Sequence, residues 1–215
     1  MAGRRWVCLD VGETLIDETR VWSVWADALG IPRLTFMAAL GAAIARGGEH
    51  RDVFATFGVA DWAERLADIE AAYGGFRSDD LYPDALRALD ALRGAGYRIA
   101  VVANQPASRS DELRAIGVDA DVVTMSAAMG VAKPDPAFFA RALELMQADA
   151  ADVAYVGDRL DNDVAPSVAA GMRAIWIRRG PWGVIQQLSM LDGAGPALTV
   201  DTLDELASRI VEVWA

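Results

Sequence analysis

Short apolar runs alternate with longer amphipathic segments along most of the chain. The runs hold four to six residues and are rich in β-branched side chains, a pattern typical of buried strands. The predicted strands are 5–10, 98–103, 153–156 and 174–177, with a weaker strand at 121–124 and a late edge strand at 197–200. Because helical segments separate these strands, the pattern predicts right-handed crossovers and a parallel sheet.

The amphipathic segments between the runs predict helices that pack on this sheet. Residues 83–93 place Leu86, Leu89 and Leu92 on one face of such a helix. Residues 136–146 repeat the design, with a proline at the first position. The predicted fold class is therefore α/β, with a parallel sheet between layers of helices.

Region 17–80 interrupts the alternation, because it contains helical patterns and no convincing strand. The predicted helices are Trp22–Leu29, Phe36–Ile44 and Trp62–Tyr73. We interpret the region as a helical domain inserted into a main domain formed by 1–16 and 81–215; the alternative is that it adds layers to a single domain. Its aromatic residues are expected to form its core rather than line a pocket: Trp22, Trp25, Phe36, Phe54, Phe57 and Trp62.

Composition and charge narrow the range of functions. Hydrophobic residues make up 53% of the 215 residues and charged residues 24%, which is typical of a globular protein with a real core. Thirty-one acidic and 20 basic residues give a net charge of −11, so we expect neither nucleic acid nor a membrane surface as a partner. A single cysteine, Cys8, and the lack of any long apolar stretch predict a cytoplasmic protein.

The chain has one histidine, His50, which follows Gly47, Gly48 and Glu49 in a loop-like setting. A mechanism with histidine as the general base for a serine or cysteine nucleophile would have to use it. The setting disfavours that chemistry and predicts a solvated surface side chain.

Polar residues follow directly after several predicted strands. Each group alone is a weak signal, but ligands of parallel sheets bind at the carboxyl ends of the strands. The groups are Asp10 with Gly12, Ala103 with Asn104, Lys133 with Pro134, and Asp158 with Asp161 and Asp163. The last group offers the oxygen ligands that Mg²⁺ prefers, and backbone N–H groups near Asn104 can face an anion.

The order and spacing of these groups resemble the haloacid dehalogenase-like hydrolase superfamily over nearly the whole chain. The matching segments are Asp10-Val-Gly-Glu-Thr-Leu, Leu81-Tyr82-Pro83, the strand before Asn104, Lys133-Pro134, Gly157-Asp158 to Asp163, Ala170-Gly171-Met172 and Arg178-Arg179-Gly180. The resemblance implies a Rossmann-like three-layer α/β/α core. Because the insertion lies between the first and second motifs, the resemblance also implies that 17–80 is a helical cap of type 1.

The resemblance implies roles for four residues in catalysis and phosphate binding. Asp10 is the nucleophile and forms a covalent aspartyl intermediate that water then cleaves. Lys133 offsets the crowded negative charge, and the phosphate lies against Lys133 and the turn formed by Ala103 and Asn104. The substrate implied is a small phosphorylated molecule, whereas no oligomeric state follows from the sequence.

The resemblance also implies a magnesium site. Its ligands would be the carboxylates of Asp10 and Asp158 and the backbone carbonyl of Gly12, with Asp163 binding or orienting the metal shell. Such a cation lets an anionic nucleophile approach a phosphate dianion.

Two positions depart from the phosphatases of this superfamily. Gly12 stands where a second aspartate usually protonates the leaving group, a role that contributes about 10²–10⁴-fold. Glu13 is adjacent, but a side chain one residue along should point elsewhere. Ala103 stands where a serine or threonine hydroxyl usually binds phosphate, which leaves the backbone N–H and the side chain of Asn104. We therefore expect the substitution Gly12→Asp to raise phosphatase activity.

These departures leave three interpretations. We favour a magnesium-dependent phosphohydrolase that is slow or limited to good leaving groups such as acyl phosphates. A metal-independent 2-haloacid dehalogenase also needs no second aspartate, because halide leaves without a proton, but the acidic residues around Asp158 count against it. The third is a binding or regulatory protein with this fold and little turnover.

Overall fold

In the computed structural model, which describes residues 5–191 and 193–215, six strands form a single parallel sheet. The strands are β1 Trp6–Leu9, β2 Arg98–Ala103, β3 Val122–Met125, β4 Val153–Gly157, β5 Arg173–Ile177 and β6 Leu198–Val200. They pair in the order β3-β2-β1-β4-β5-β6. Each predicted strand is confirmed to within one residue at either end, and β6 lies at an edge of the sheet.

Helices cover the connections between these strands. Their bounds are α1 Thr19–Ala28, α2 Arg33–Ala45, α3 Asp52–Thr56, α4 Leu66–Tyr73, α5 Ala85–Gly94, α6 Arg109–Ala115, α7 Ser126–Met129, α8 Pro136–Met146, α9 Ala165–Ala169, α10 Gly180–Ile185 and α11 Leu203–Arg209. Region 17–80 is helical, as predicted, although its third predicted helix begins at Leu66 rather than Trp62 and the short helix α3 precedes it.

Apolar side chains leave the sheet on both faces, because successive residues of a strand point to opposite sides. On β1, Val7 and Leu9 pack with residues of α5 and α11, whereas Trp6 and Cys8 pack with the α8 residues Phe138 and Phe139. The predicted three-layer α/β/α fold is confirmed.

The buried face of α5 differs from the predicted one. Leu89 and Leu92 are buried, but Leu86 is 37% exposed, and Ala85 and Ala88 complete the buried face. A spacing of three residues drifts by about 60° around a helix at each step, so Leu86 and Leu92 cannot share a narrow stripe. The observed spacing of three, then one, then three residues follows the helical repeat.

The aromatic residues of region 17–80 form an apolar core, which confirms that prediction. The ring centroids of Trp25 and Phe54 lie 4.5 Å apart, and Phe54 stacks on Trp62 at 5.4 Å. Trp182 of α10 belongs to the same buried cluster, so the helical region packs on the sheet region through shared apolar contacts.

No single helix in the described ranges is long and apolar enough to cross a bilayer. Helices α1 and α2 meet the length and composition criteria only when they are counted together, and the chain bends by 114° between them.

The strand order places the candidate residues at one edge of the sheet. Strands β2, β1 and β4 are neighbours, and their carboxyl ends carry Asn104, Asp10 and Asp158 respectively. The chain leaves β1 toward β2 on one side, while β4 and β5 continue on the other. The crevice between β1 and β4 is therefore the topological switch point, where sheets of this kind bind ligands.

Candidate active site

Lys133 joins two of the candidate carboxylates at the end of β1. Its Nζ lies 2.7 Å from Asp10 Oδ1 and 2.6 Å from Asp163 Oδ1. The backbone N–H of Asp10 donates to the Val156 carbonyl at 2.9 Å, which extends the pairing of β1 with β4 by one residue. Lys133 is the only lysine of the chain, and it is buried. The chain thus places its one ammonium group against the candidate nucleophile.

Asp163 uses both of its carboxylate oxygens in contacts within the protein. Oδ1 accepts from Lys133, and Oδ2 accepts from the backbone N–H of Arg159 at 3.0 Å. Asp163 packs over Gly157, where even a Cβ would overlap its carboxyl group. These contacts assign Asp163 to holding Lys133 and the loop after β4 in place.

Asp158 presents a buried oxygen without a partner. Its Oδ2 makes no hydrogen bond to any described residue, although the side chain is only 3% exposed. Oxygens of Asp10, Asp158 and Asp163 all lie within 4.8 Å of one another. A buried oxygen that lacks a partner is unfavourable by about 1–3 kcal/mol, more for a charged group. The donor set and the orphaned oxygen therefore fit a hard divalent cation such as Mg²⁺.

The charges of this cluster do not balance within the protein. Burial, reinforced by the neighbouring carboxylates, raises the pKa of Asp158 well above its ordinary value. Burial also raises the pKa of Asp163, although Lys133 opposes that shift. Burial alone would lower the pKa of Lys133, but Asp10 and Asp163 raise it above its usual range. Three carboxylates share one ammonium group, so a bound cation would relieve the excess negative charge.

The Asn104 side chain holds the backbone of Lys133. Its Nδ2 donates to the Lys133 carbonyl at 2.9 Å, and the Lys133 N–H donates to its Oδ1 at 2.8 Å. Both polar ends of the carboxamide are thus engaged, and the side chain positions Lys133 instead of reaching toward a phosphate. Ala103 is buried at the end of β2 and offers no polar side-chain atom. Phosphate binding at this turn is left to backbone N–H groups, which stays a prediction.

Glu13 points away from the position that Gly12 leaves vacant. Its backbone has a φ of +51°, and its carboxyl group accepts hydrogen bonds from the Tyr82 hydroxyl and, at 3.1 Å, from the Glu18 N–H. The side chain thus braces the loop after β1. Glu13 makes no contact here that would suit it to replace the missing aspartate.

Glu18 lies beside Gly12, a placement that the sequence analysis did not predict. A Cβ built on Gly12 would overlap Glu18 Oε1 and lie 3.0 Å from Glu18 Cδ. Glu18 directly precedes α1, eight residues after Asp10, and no motif marks it. Only the path of the loop between them could have indicated that the two residues meet.

Asp161 and His50 both lie outside the buried cluster. Asp161 is exposed and bonds to Arg159 and Gln186, so it lies at the rim and not among the buried carboxylates. His50 is not fully solvated, because its side chain is 36% exposed and its ring lies 5.6 Å from that of Trp22. Burial, reinforced by the charge of Arg51, lowers the pKa of His50 to about 4. The loop folds onto α1, which its glycines did not reveal.

The chain is similar in sequence to known proteins. The sequence profile described as haloacid dehalogenase-like hydrolase matches residues 5–171. The chain is 30% identical to glyceraldehyde 3-phosphate phosphatase of Methanopyrus kandleri over 135 residues, which is 61% of this chain and 57% of that protein. It is 32% identical to phosphoserine phosphatase of Thermus thermophilus over 171 residues, which is 73% of this chain and 68% of that protein. The chain thus spans 57% of the length of the first relative and 68% of the length of the second.

A solved structure shows the same fold. The 2-haloacid dehalogenase from Pseudomonas syringae superposes with a TM-score of 0.62 at 21% identity, over 99% of this chain and 100% of that chain. At this identity the similarity concerns the fold and not the reaction.

Proposed function

The chain belongs to the haloacid dehalogenase-like hydrolase family, and from this premise we propose that it is a magnesium-dependent phosphohydrolase acting on small phosphorylated molecules. The observation that carries the proposal is the buried cluster in which Lys133 bridges Asp10 and Asp163 beside the unpartnered Asp158 oxygen. The relatives named as phosphatases support the same choice of reaction.

Asp10 is the nucleophile in this proposal. Lys133 holds its Oδ1, and no hydrogen bond from another described residue engages Oδ2. Attack by a carboxylate oxygen forms an O–P bond while the bond from phosphorus to the leaving oxygen breaks and that oxygen takes a proton. Water then cleaves the aspartyl phosphate, releases inorganic phosphate and regenerates Asp10.

The magnesium ligands would be Asp10, Asp158 and the Gly12 carbonyl. When bound, the ion would neutralise negative charge on the phosphate and on the cluster. Asp163 would act through Lys133 and the loop after β4, because its two oxygens already accept hydrogen bonds.

We further assign the helices of region 17–80 to a cap over this site. Glu49, in the loop after α2, pairs with Arg159 through two contacts of 2.9 and 3.0 Å. Arg159 lies next to Asp158 and packs on the Trp182 ring at 3.7 Å. The cap loop therefore touches the rim of the proposed metal site, where closure would exclude water from the reaction.

The test is hydrolysis of acetyl phosphate and para-nitrophenyl phosphate by the wild type and by Asp10→Asn, with magnesium or with a chelator. We expect magnesium-dependent turnover in the wild type and none in the variant, whose circular dichroism should match the wild type. Turnover by the Asp10→Asn variant, or turnover by the wild type that is unchanged in the presence of chelator, would contradict the proposal.

The second candidate is a metal-independent 2-haloacid dehalogenase. It is favoured by Gly12, since a departing halide needs no proton, and hydrolysis of 2-chloropropionate in the presence of a chelator tests it. The cluster around Asp158 counts against it, because an unpartnered buried oxygen beside two further carboxylates fits a divalent cation.

A further inference from the structure

We propose that Glu18 is the catalytic acid and base of this site and takes the place of the side chain that Gly12 lacks. The inference rests on the proposed phosphohydrolase function, and it concerns the leaving group rather than the nucleophile. It predicts that the site has both a nucleophile and a catalytic acid and base, although the motif around Asp10 lacks the second aspartate.

The Glu18 carboxyl group lies against the position that a side chain on residue 12 would take. Its Oε1 would overlap a Cβ on Gly12, and its Cδ would lie 3.0 Å from that Cβ. The carboxyl carbon of an aspartate stands one bond beyond its Cβ. Glu18 therefore places a carboxyl group close to where an aspartate at position 12 would place its own.

The loop between Gly12 and Glu18 folds back on itself. The N–H groups of Leu15 and Ile16 both donate to the Val11 carbonyl at 2.9 Å, and the Glu13 N–H donates to the Ile16 carbonyl at 2.7 Å. These bonds turn the chain back, so that Glu18 returns to the level of Gly12. The Glu18 N–H then donates to Glu13 Oε1, which fixes the backbone while the side chain points at Gly12.

The Glu18 side chain has no structural ion pair. No arginine or lysine side chain bonds to its carboxyl group within residues 5–191 and 193–215. The Trp22 side chain hydrogen-bonds to it, and the acidic groups whose charges act on it are Glu13, Asp10 and Asp17. A partly buried carboxyl group beside the nucleophile, without a basic partner, is available for proton transfer.

The proposed proton transfers balance over the two steps. As the bond between phosphorus and the leaving oxygen breaks, the Glu18 carboxylic acid gives its proton to that oxygen. As water attacks the aspartyl phosphate, the Glu18 carboxylate takes a proton from the water and returns to its starting form.

The first experiment compares Glu18→Gln and Glu18→Ala with the wild type on two magnesium-loaded reactions. An alkyl ester such as β-glycerol phosphate has a leaving oxygen that needs protonation, whereas acetyl phosphate does not. Since kcat/KM reports the steps up to the aspartyl phosphate, we expect it to fall about 10²–10⁴-fold for the alkyl ester and to change little for acetyl phosphate. Asp17→Asn is the matched control, because Asp17 adjoins Glu18 and bonds to the Thr19 N–H, and it should leave both values unchanged.

The second experiment exchanges the carboxyl group between the two positions. Gly12→Asp alone should give no gain, because Glu18 occupies the space that the new side chain needs, which revises the expectation from the sequence. In a Glu18→Ala background, the same Gly12→Asp change should restore most of the lost kcat/KM for the alkyl ester.

The outcomes separate the two proposals. Glu18 variants that keep the wild-type ratio between the two substrates, while Asp10→Asn remains inactive, would overturn the role of Glu18 and leave the phosphohydrolase intact. A wild type without magnesium-dependent turnover of acetyl phosphate would overturn the proposed function and this inference together.

Discussion

The two sides of Asp10 are built in different ways. On the side of Lys133, Asp158 and Asp163, the functional groups are buried, and those three residues follow or adjoin elements of the sheet region. On the side of Gly12 the motif lacks its acid, and a carboxyl group arrives from the residue before α1. Sequence motifs identify the residues of the first side, whereas the approach of Glu18 to Gly12 on the second side depends on the path of the loop.

The two sides of Asp10 are expected to differ in how well they tolerate substitution. On the Lys133 side, two buried carboxylates pair with one buried ammonium group, so removal of that group leaves both carboxylates without a cation. On the Gly12 side, the proposed acid and base is a single carboxyl group that either of two positions could supply.

The largest effect is expected from Lys133→Met. The change leaves Asp10 and Asp163 buried without their shared cation, so the free energy of unfolding without magnesium should fall by about 3–5 kcal/mol. Urea unfolding followed by tryptophan fluorescence measures it. The control is Arg141→Met, which removes a cation from an exposed pair with Glu144 and should change stability by less than about 1 kcal/mol. Equal losses in the two variants would show that the buried pairs of Lys133 contribute no more to stability than an exposed pair does.

Magnesium should stabilise the wild type, and Asp158 should be needed for this. A ligand present at 100 times its Kd raises the free energy of unfolding by about 2.7 kcal/mol, which thermal unfolding with and without the ion detects. Asp158→Asn should lose this response and be more stable than the wild type in chelator, because burial disfavours its charge.

Asp161→Asn is the control for that change, since Asp161 lies in the same loop but is exposed. Its response to magnesium should equal that of the wild type. If magnesium does not change the unfolding temperature of the wild type, the metal assignment is contradicted.

Tyr82→Phe probes the loop on the other side of Asp10. It removes the hydroxyl that donates to Glu13, and Glu13 in turn accepts from the Glu18 N–H. One hydrogen bond contributes about 1 kcal/mol, so kcat/KM for an alkyl phosphate should fall about fivefold, with acetyl phosphate unaffected. Tyr97→Phe, on the far side of the sheet region against Trp214, should have no such selective effect. Equal losses on both substrates would indicate a general loosening of the site.

The smallest effect is expected at His50, which belongs to neither side of Asp10. The pKa of His50 is about 4 in the folded protein, below its ordinary value of 6.5. Between these two pH values the imidazole binds a proton in the unfolded chain but stays neutral in the folded protein. The free energy of unfolding should therefore fall as the pH drops through this window, by about 1 kcal/mol since the side chain is one third exposed. His50→Gln should lose less stability from pH 7 to 4.5 than the wild type; identical curves would contradict the prediction.

The sequence itself determined the sheet and the side of the site that the sheet builds. Apolar runs with turns between them gave all six strands, because burial on two faces demands a nearly continuous apolar segment. Asp10 and Asp158 each follow such a run, and parallel strands bring their carboxyl ends to one edge. The helical repeat was less informative, since the exposed Leu86 satisfies a three-residue spacing nearly as well as a buried leucine.

Tertiary structure alone decided which polar groups meet. Asn104 and Lys133 are 29 residues apart, and nothing local shows that the carboxamide holds the lysine backbone. Glu18 meets Gly12 because hydrogen bonds within the loop turn the chain back, and a glycine leaves room for the carboxyl group. The physical reason is that strand and helix patterns follow from the burial of each residue by itself. The meeting of two side chains instead depends on the path of the backbone between them, which no periodic pattern records.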